Sequence, residues 1–174
     1  MRALLWLSSV VTASVLAVLP TDLKADDSQQ TIYLAKSAGF ALLVEGSGEK
    51  PCDFASQKLL NDAESILTSG NVEFTYMLGA APSIPANWPL LRIFAQSLKG
   101  ANGCIWTLDV SVRAPQKGAV VFSQPYGGLV EIWNANAFGI APGNGLTAYV
   151  SETARDSLKE LVDDVHASRS AFTQ

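Results

Sequence analysis

One histidine, His166, and two cysteines, Cys52 and Cys104, are all the soft or imidazole chemistry available in 174 residues. Nucleophilic catalysis needs a base held within hydrogen-bond reach of the nucleophile. His166 falls near the end of a predicted helix, a poor place to hold such geometry, and reads as a surface cation favoured by the helix C-terminus. The cysteines stand 52 positions apart with no Cys-x-x-Cys between them. They are expected to form one structural disulfide rather than a redox pair.

With the thiols bonded to each other, only carboxylate sites for a hard cation remain. Asp62/Glu64 and Asp163/Asp164 read as solvated helix faces, so no metal and no cofactor are expected. Gly127-Gly128 and Gly143-Asn144-Gly145 lack the spacing of phosphate-cradling loops and read as turns. Asp109 and Glu131 could supply the paired carboxylates of glycoside hydrolysis. Both occupy outward positions of alternating segments, where ordinary surface charge explains them.

Aromatic residues supply the other candidate site. Trp88 lies in Gly79–Pro89, a stretch with Pro82, Pro85 and Pro89 that cannot be regular for most of its length. Phe122, Tyr126, Trp133 and Phe138 fall in or beside glycine- and asparagine-rich chain around Gln124–Gly145. Trp88, Tyr126, Trp133 and Phe138 are accordingly the expected binding residues, although aromatics of this kind also plug the open end of a core.

The element that must position these groups is Cys104–Val112. Cys104, Trp106, Leu108, Val110 and Val112 alternate with Thr107, Asp109 and Ser111, the pattern of a half-buried strand. Lys99–Gly103 predicts a hairpin back to Leu90–Leu98. Ala114–Gly118 predicts a turn into a strand at 119–123, making a meander, and 129–133 a further strand. Asn134–Gly145 reads as irregular and Leu146–Val150 as a short strand. Earlier in the chain, Ile32–Ala35 and Phe40–Val44 fit a hairpin or one bulged strand, and Val72–Leu78 another strand.

Two helices are expected, over about 53–69 and 151–167, opened by Asp53 and Ser151. Gly70 is expected to close the first with a left-handed cap. Their apolar stripes are Ala55, Leu59, Ala63, Ile66 and Leu67, and Ala154, Leu158, Leu161, Val162 and Val165. The sum is an α+β two-layer sandwich: a mainly antiparallel sheet of about five to seven strands with both helices on one face. A Cys52–Cys104 bond would fasten the first helix across the central strand.

Arg2, the apolar run Ala3–Leu19, Pro20 and the polar stretch to Ala25 read as a secretory signal cleaved after Ala25, with a retained anchor the alternative. The expected organisation is a signal at 1–25, a flexible leader at 26–30, one domain at 31–168 and a frayed tail at 169–174. The formal charge is −4, and −5 without residues 1–25. So acidic a chain has no footprint for nucleic acid or anionic lipid. The expected function is that of an exported, periplasmic or secreted, bacterial binding or accessory protein with a protein or small-molecule partner in the cell envelope, and not an enzyme. The alternatives are a carboxylate-dependent hydrolase of cell-wall or polysaccharide material and a structural or assembly subunit of an envelope complex.

Overall fold

A computed structural model describes residues 27–77, 88–121 and 124–173, with the backbone alone at 27–28 and 115–128. The element order is α1 (Asp27–Lys36), β1 (Gly39–Gly48), α2 (Ser56–Ser69), β2 (Glu73–Tyr76), β3 (Leu90–Gly100), β4 (Gly103–Val121), β5 (Gln124–Ala141), a 3-10 turn (Gly143–Gly145) and α3 (Leu146–Phe172). The five strands form one sheet in the order β2-β1-β3-β4-β5. The domain is α+β, as the alternating and helical periods predict.

The sheet is mixed rather than mainly antiparallel: β1 runs parallel to both β2 and β3, while β3-β4-β5 is antiparallel. A parallel neighbour needs a crossover, and α2 supplies it between β1 and β2. The predicted hairpin is present, with Gly100 paired to Gly103. Gly103 has φ 140, and a Cβ there would stand 2.7 Å from the Ala141 carbonyl oxygen, so glycine is required at that corner.

Several expected boundaries are overturned. Helices number three among the described residues, not two, because residues 27–36, expected as leader and strand, form α1. Its Leu34 is fully buried in the core cluster. The turn expected at 114–118 is absent, since β4 continues for 19 residues with register shifts at Val112/Arg113 and Gln116/Ala119. Bulges let the ladder absorb Pro115 and Gly118 without ending. Asn134–Ala141 is strand, not irregular chain, and belongs to the 18-residue β5. Leu146–Val150 is the start of α3, because Leu146 and Val150 extend the stripe Ala154, Leu158, Leu161 and Val165 at helical spacing. That helix also runs on past 167, to Phe172.

Neither predicted helix start is a side-chain cap: α2 begins after Ala55, and Ser151 is an interior residue of α3. The left-handed residue after α2 is Asn71 (φ 52), not Gly70. Gly70 is needed for proximity, since a Cβ would come within 2.5 Å of Val162 Cγ1.

Helices α2 and α3 run side by side in the same direction. The Ala55 amide donates to Thr147 Oγ1 (3.4 Å) at one end, and His166 Nε2 lies 2.8 Å from the Gly70 carbonyl oxygen at the other. Arg169 Nη2 donates to the Ser37 carbonyl (2.9 Å), tying the last turns of α3 to the residue after α1. Leu59, Ala63, Ile66 and Leu67 of α2, the stripe of α3, Leu34, and the even positions Cys104 to Val112 of β4 belong to one buried cluster. Ala55, expected in the first stripe, is exposed ahead of the helix. Each large aliphatic side chain of the cluster contributes about 1.5–3 kcal/mol. The bond Cys52–Cys104 is formed, with Cα atoms 5.5 Å apart.

Midway along the α2–α3 seam Asp62 accepts from Ser151 Oγ and from Lys58 Nζ (3.0 Å). Burial pushes its carboxyl up, but those hydrogen bonds and the cations Lys58 and Arg155 outweigh it and hold the group below its ordinary value of 3.8. A depressed folded-state pKa gives stability that is complete above the ordinary value and is lost as pH falls through the folded one. Thermal stability is therefore expected to decline with acid below about pH 4, and Asp62→Asn to flatten that decline. Melting curves for both proteins between about pH 2 and 5 check it, and equal slopes would refute it.

Candidate functional site

Along β4 burial alternates: the even residues from Cys104 to Val112 are buried, whereas Ile105 and Thr107 are exposed and Asp109 half-buried. The second set lies on the sheet's open face. Register then builds that face row by row. Leu98, Ile105 and Ile140 stand side by side on β3, β4 and β5, followed by Gln96, Thr107 and Phe138, and then by Phe94, Asp109 and Asn136. Phe138 is 85% exposed, Ile140 66%, Leu98 59% and Ile105 46%. Four large apolar side chains in adjacent positions are far from the scattered exposure that needs no explanation.

Beside this apolar row the face dips into an open groove of about 540 Å³ lined by Arg92, Phe94, Asp109, Arg113, Asn136 and Phe138, among others. Both of its arginines are in ion pairs, and its carboxylate Asp109 accepts a hydroxyl hydrogen bond. Arg92 Nε donates to Glu45 Oε2 at 2.7 Å while its guanidinium lies 4.3 Å from the Phe94 ring centroid. Arg113 reaches Glu131 Oε2 at 3.4 Å, and Asn134 Nδ2 donates to Glu131 Oε1 at 2.5 Å. Ser111 Oγ donates to Asp109 Oδ1 at 2.9 Å. The face offers apolar contact and planar hydrogen-bonding groups, and the hydroxyl of the Ser111–Asp109 contact belongs to a fully buried serine.

Of the predicted binding residues whose side chains are described, Trp88, Trp133 and Phe138 do not converge. Trp133 is buried, its Nε1 donating to Asp164 Oδ2 on α3 at 2.8 Å, so it faces away from Phe138. Trp88 is half-buried before β3, its ring packed over Gly39, and lines a separate depression of about 390 Å³ with Val72, Glu73 and Phe74. Tyr126 pairs with Ala119 in the β4–β5 ladder. Its side chain lies outside the described residues, as do Phe122, most of Gly79–Pro89 and the expected signal at 1–25. Among the described side chains of that set, Phe138 is the one on the open face.

Asp109 and Glu131 are engaged by different neighbours. Glu131 pairs with Arg113, four residues beyond Asp109 on β4, so the two backbone positions lie on the order of 13 Å apart along the strand. Asp109 is held by Ser111, and Glu131 by Arg113 and Asn134. His166, at the far end of the helical seam, is bonded to the Gly70 carbonyl oxygen. Among the described residues no three His, Cys, Asp or Glu side chains gather as a metal site, and no helix is long and apolar enough to cross a membrane.

Sequence reasoning missed Leu98, Ile105, Ile140 and Phe94. One signal was present: Ile105 is the apolar exception among the odd positions of an otherwise regular alternation. Compared with known proteins, the chain matches no family profile and no curated protein sequence.

Proposed function

We propose that the chain is an exported, non-enzymatic docking protein of the cell envelope. In this reading its helices cover one face of the sheet, the Cys52–Cys104 bond holds that layer in place, and the other face engages a protein partner. The observation that carries the reading is the contiguous exposure of Leu98, Ile105, Ile140 and Phe138 beside a groove whose two arginines are already in ion pairs. A chain folding for itself gains nothing from leaving those four groups in water, at about 25 cal/mol per Å² of apolar surface. The disulfide suits an oxidising compartment, and the first 25 residues supply the composition of a secretory signal.

The assembly-subunit alternative keeps some weight because β5 is a long strand at the sheet edge. The hydrolase alternative gains no support from Asp109 and Glu131, each of which is engaged by its own neighbours. The double variant Phe138→Lys/Ile140→Thr is expected to keep stability within about 0.5 kcal/mol, since both side chains are exposed. It is also expected to lose at least about tenfold in partner recovery from envelope extract, a deficit of about 1.4 kcal/mol. Undiminished recovery by the folded variant would remove this face from the function.

A further inference from the structure

Among the described residues, strand β5 has β4 on one side and no strand on the other. Among the described residues, the N–H and C=O groups on that side have no strand partner, the condition of a pairing template. The opposite edge of the sheet, β2, spans four residues, whereas β5 spans 18. Natural edges are blunted by charge, proline or bulges. From Trp133 to Ala141 the strand reads Trp-Asn-Ala-Asn-Ala-Phe-Gly-Ile-Ala, with no charged residue and no proline, and its register to β4 is unbroken from Trp133 onward.

We propose that this edge pairs with the same edge of a second copy, antiparallel about a two-fold axis through Ala137, joining two five-stranded sheets into one. The inference rests on the reading of the open face as a docking surface and names the occupant of its edge. Three features favour a copy of this chain. The molecule is acidic, at −4, so like molecules repel wherever charge meets charge, and Trp133–Ala141 is a stretch where none would. Antiparallel pairing about a two-fold is self-complementary, so one strand serves both sides.

The chosen axis, finally, uses the whole uncharged stretch. It sets Trp133 against Ala141, Asn134 against Ile140, Ala135 against Gly139 and Asn136 against Phe138 of the other copy. Phe138 and its counterpart become diagonal neighbours on the open face, within reach of aromatic contact. The apolar row Leu98–Ile105–Ile140 then continues onto a second sheet and no longer ends at water.

Sedimentation of the purified protein is expected to show a dimer that assembles with concentration by about 100 μM. Phe138→Lys, which puts two ammonium groups next to the axis, is expected to weaken assembly at least about tenfold. In cross-linking under mild oxidation, Ala137→Cys sits opposite itself and is expected to link two chains. Ala135→Cys, whose copies lie on the order of 13 Å apart in this register, is not. A wild type that stays monomeric at about 100 μM overturns the inference, as does equal linking by the two cysteine variants. A monomeric wild type that still loses its partner through Phe138→Lys/Ile140→Thr would leave the docking face standing and remove only the self-pairing. If that double variant recovers partner undiminished, the docking face itself fails.

Discussion

Cys52→Ala/Cys104→Ala is expected to lower the free energy of unfolding by about 2–4 kcal/mol, and reduction of the native bond to do the same. The physical reason lies first in the unfolded chain: the bond closes a loop spanning 52 positions, whose entropy the chain-closure relation values at about 4 kcal/mol. Measured losses run lower, because the denatured chain is already compact. For a domain of this size the change corresponds to a fall in Tm of about 5–15 °C. Both cysteines are buried in the core cluster, so alanine avoids adding the desolvation cost of a serine hydroxyl. Denaturant titrations of the oxidised, reduced and double-alanine forms provide the check, with the last two coinciding. A double-alanine protein as stable as the oxidised one would show that the bond is bystander to the fold.

The same bond has a local consequence. Cys52 precedes α2, and its carbonyl accepts from the buried Ser97 hydroxyl of β3. Gly143, at the turn from β5 into α3, packs near Cys104 Sγ and the Pro51 carbonyl oxygen. The disulfide therefore gathers the entry to α2, the start of β4 and the exit of β5 at one end of the sheet, beside the exposed row of Leu98, Ile105 and Ile140. Loss of the bond is expected to loosen this exposed apolar row more than the far end of the sheet.

What was legible in the sequence follows the strength of local periodicity. The β4 alternation, the β3–β4 hairpin and the two helical stripes are patterns repeated over many residues, and each survives in the fold apart from Ala55, which is exposed ahead of α2. α1 was missed because Ile32, Tyr33 and Leu34 are consecutive apolar residues with strand-like character; only Leu34 among them is buried, which is a tertiary fact. The later half of β5, Asn134–Ala141, was missed for a different reason. Its inward positions Ala135, Ala137, Gly139 and Ala141 are all small, and small residues carry almost no hydrophobic signal. The candidate site suffered from the same blindness. Phe138 was singled out as one aromatic among several, yet its placement opposite Thr107 and near Ile105 depends on register across three strands, which no local pattern encodes.

Those small residues have a partner, and it yields the remaining large effect. Gly139 pairs with Trp106, and a Cβ at Gly139 would stand 2.9–3.1 Å from the indole atoms Cζ2, Cε2 and Nε1. The ring is buried and cannot swing clear, so Gly139→Val must push either the indole or the strand, at about 1–3 kcal/mol. Trp106→Ala is expected to cost about 3–5 kcal/mol, because it empties the space that the small side of β5 exists to admit. Lost hydrogen bonding adds little to that cost, since Trp106 Nε1 is buried without a partner among the described residues. The two changes should not add: with the indole gone, the valine methyls enter its volume, and the double variant is expected to lose at least about 1 kcal/mol less than the sum of the singles. A double-mutant cycle by urea denaturation measures the coupling directly. Strict additivity would mean that the ring does not lie over Gly139, and the indole would then no longer account for the small residues on β5's inward face.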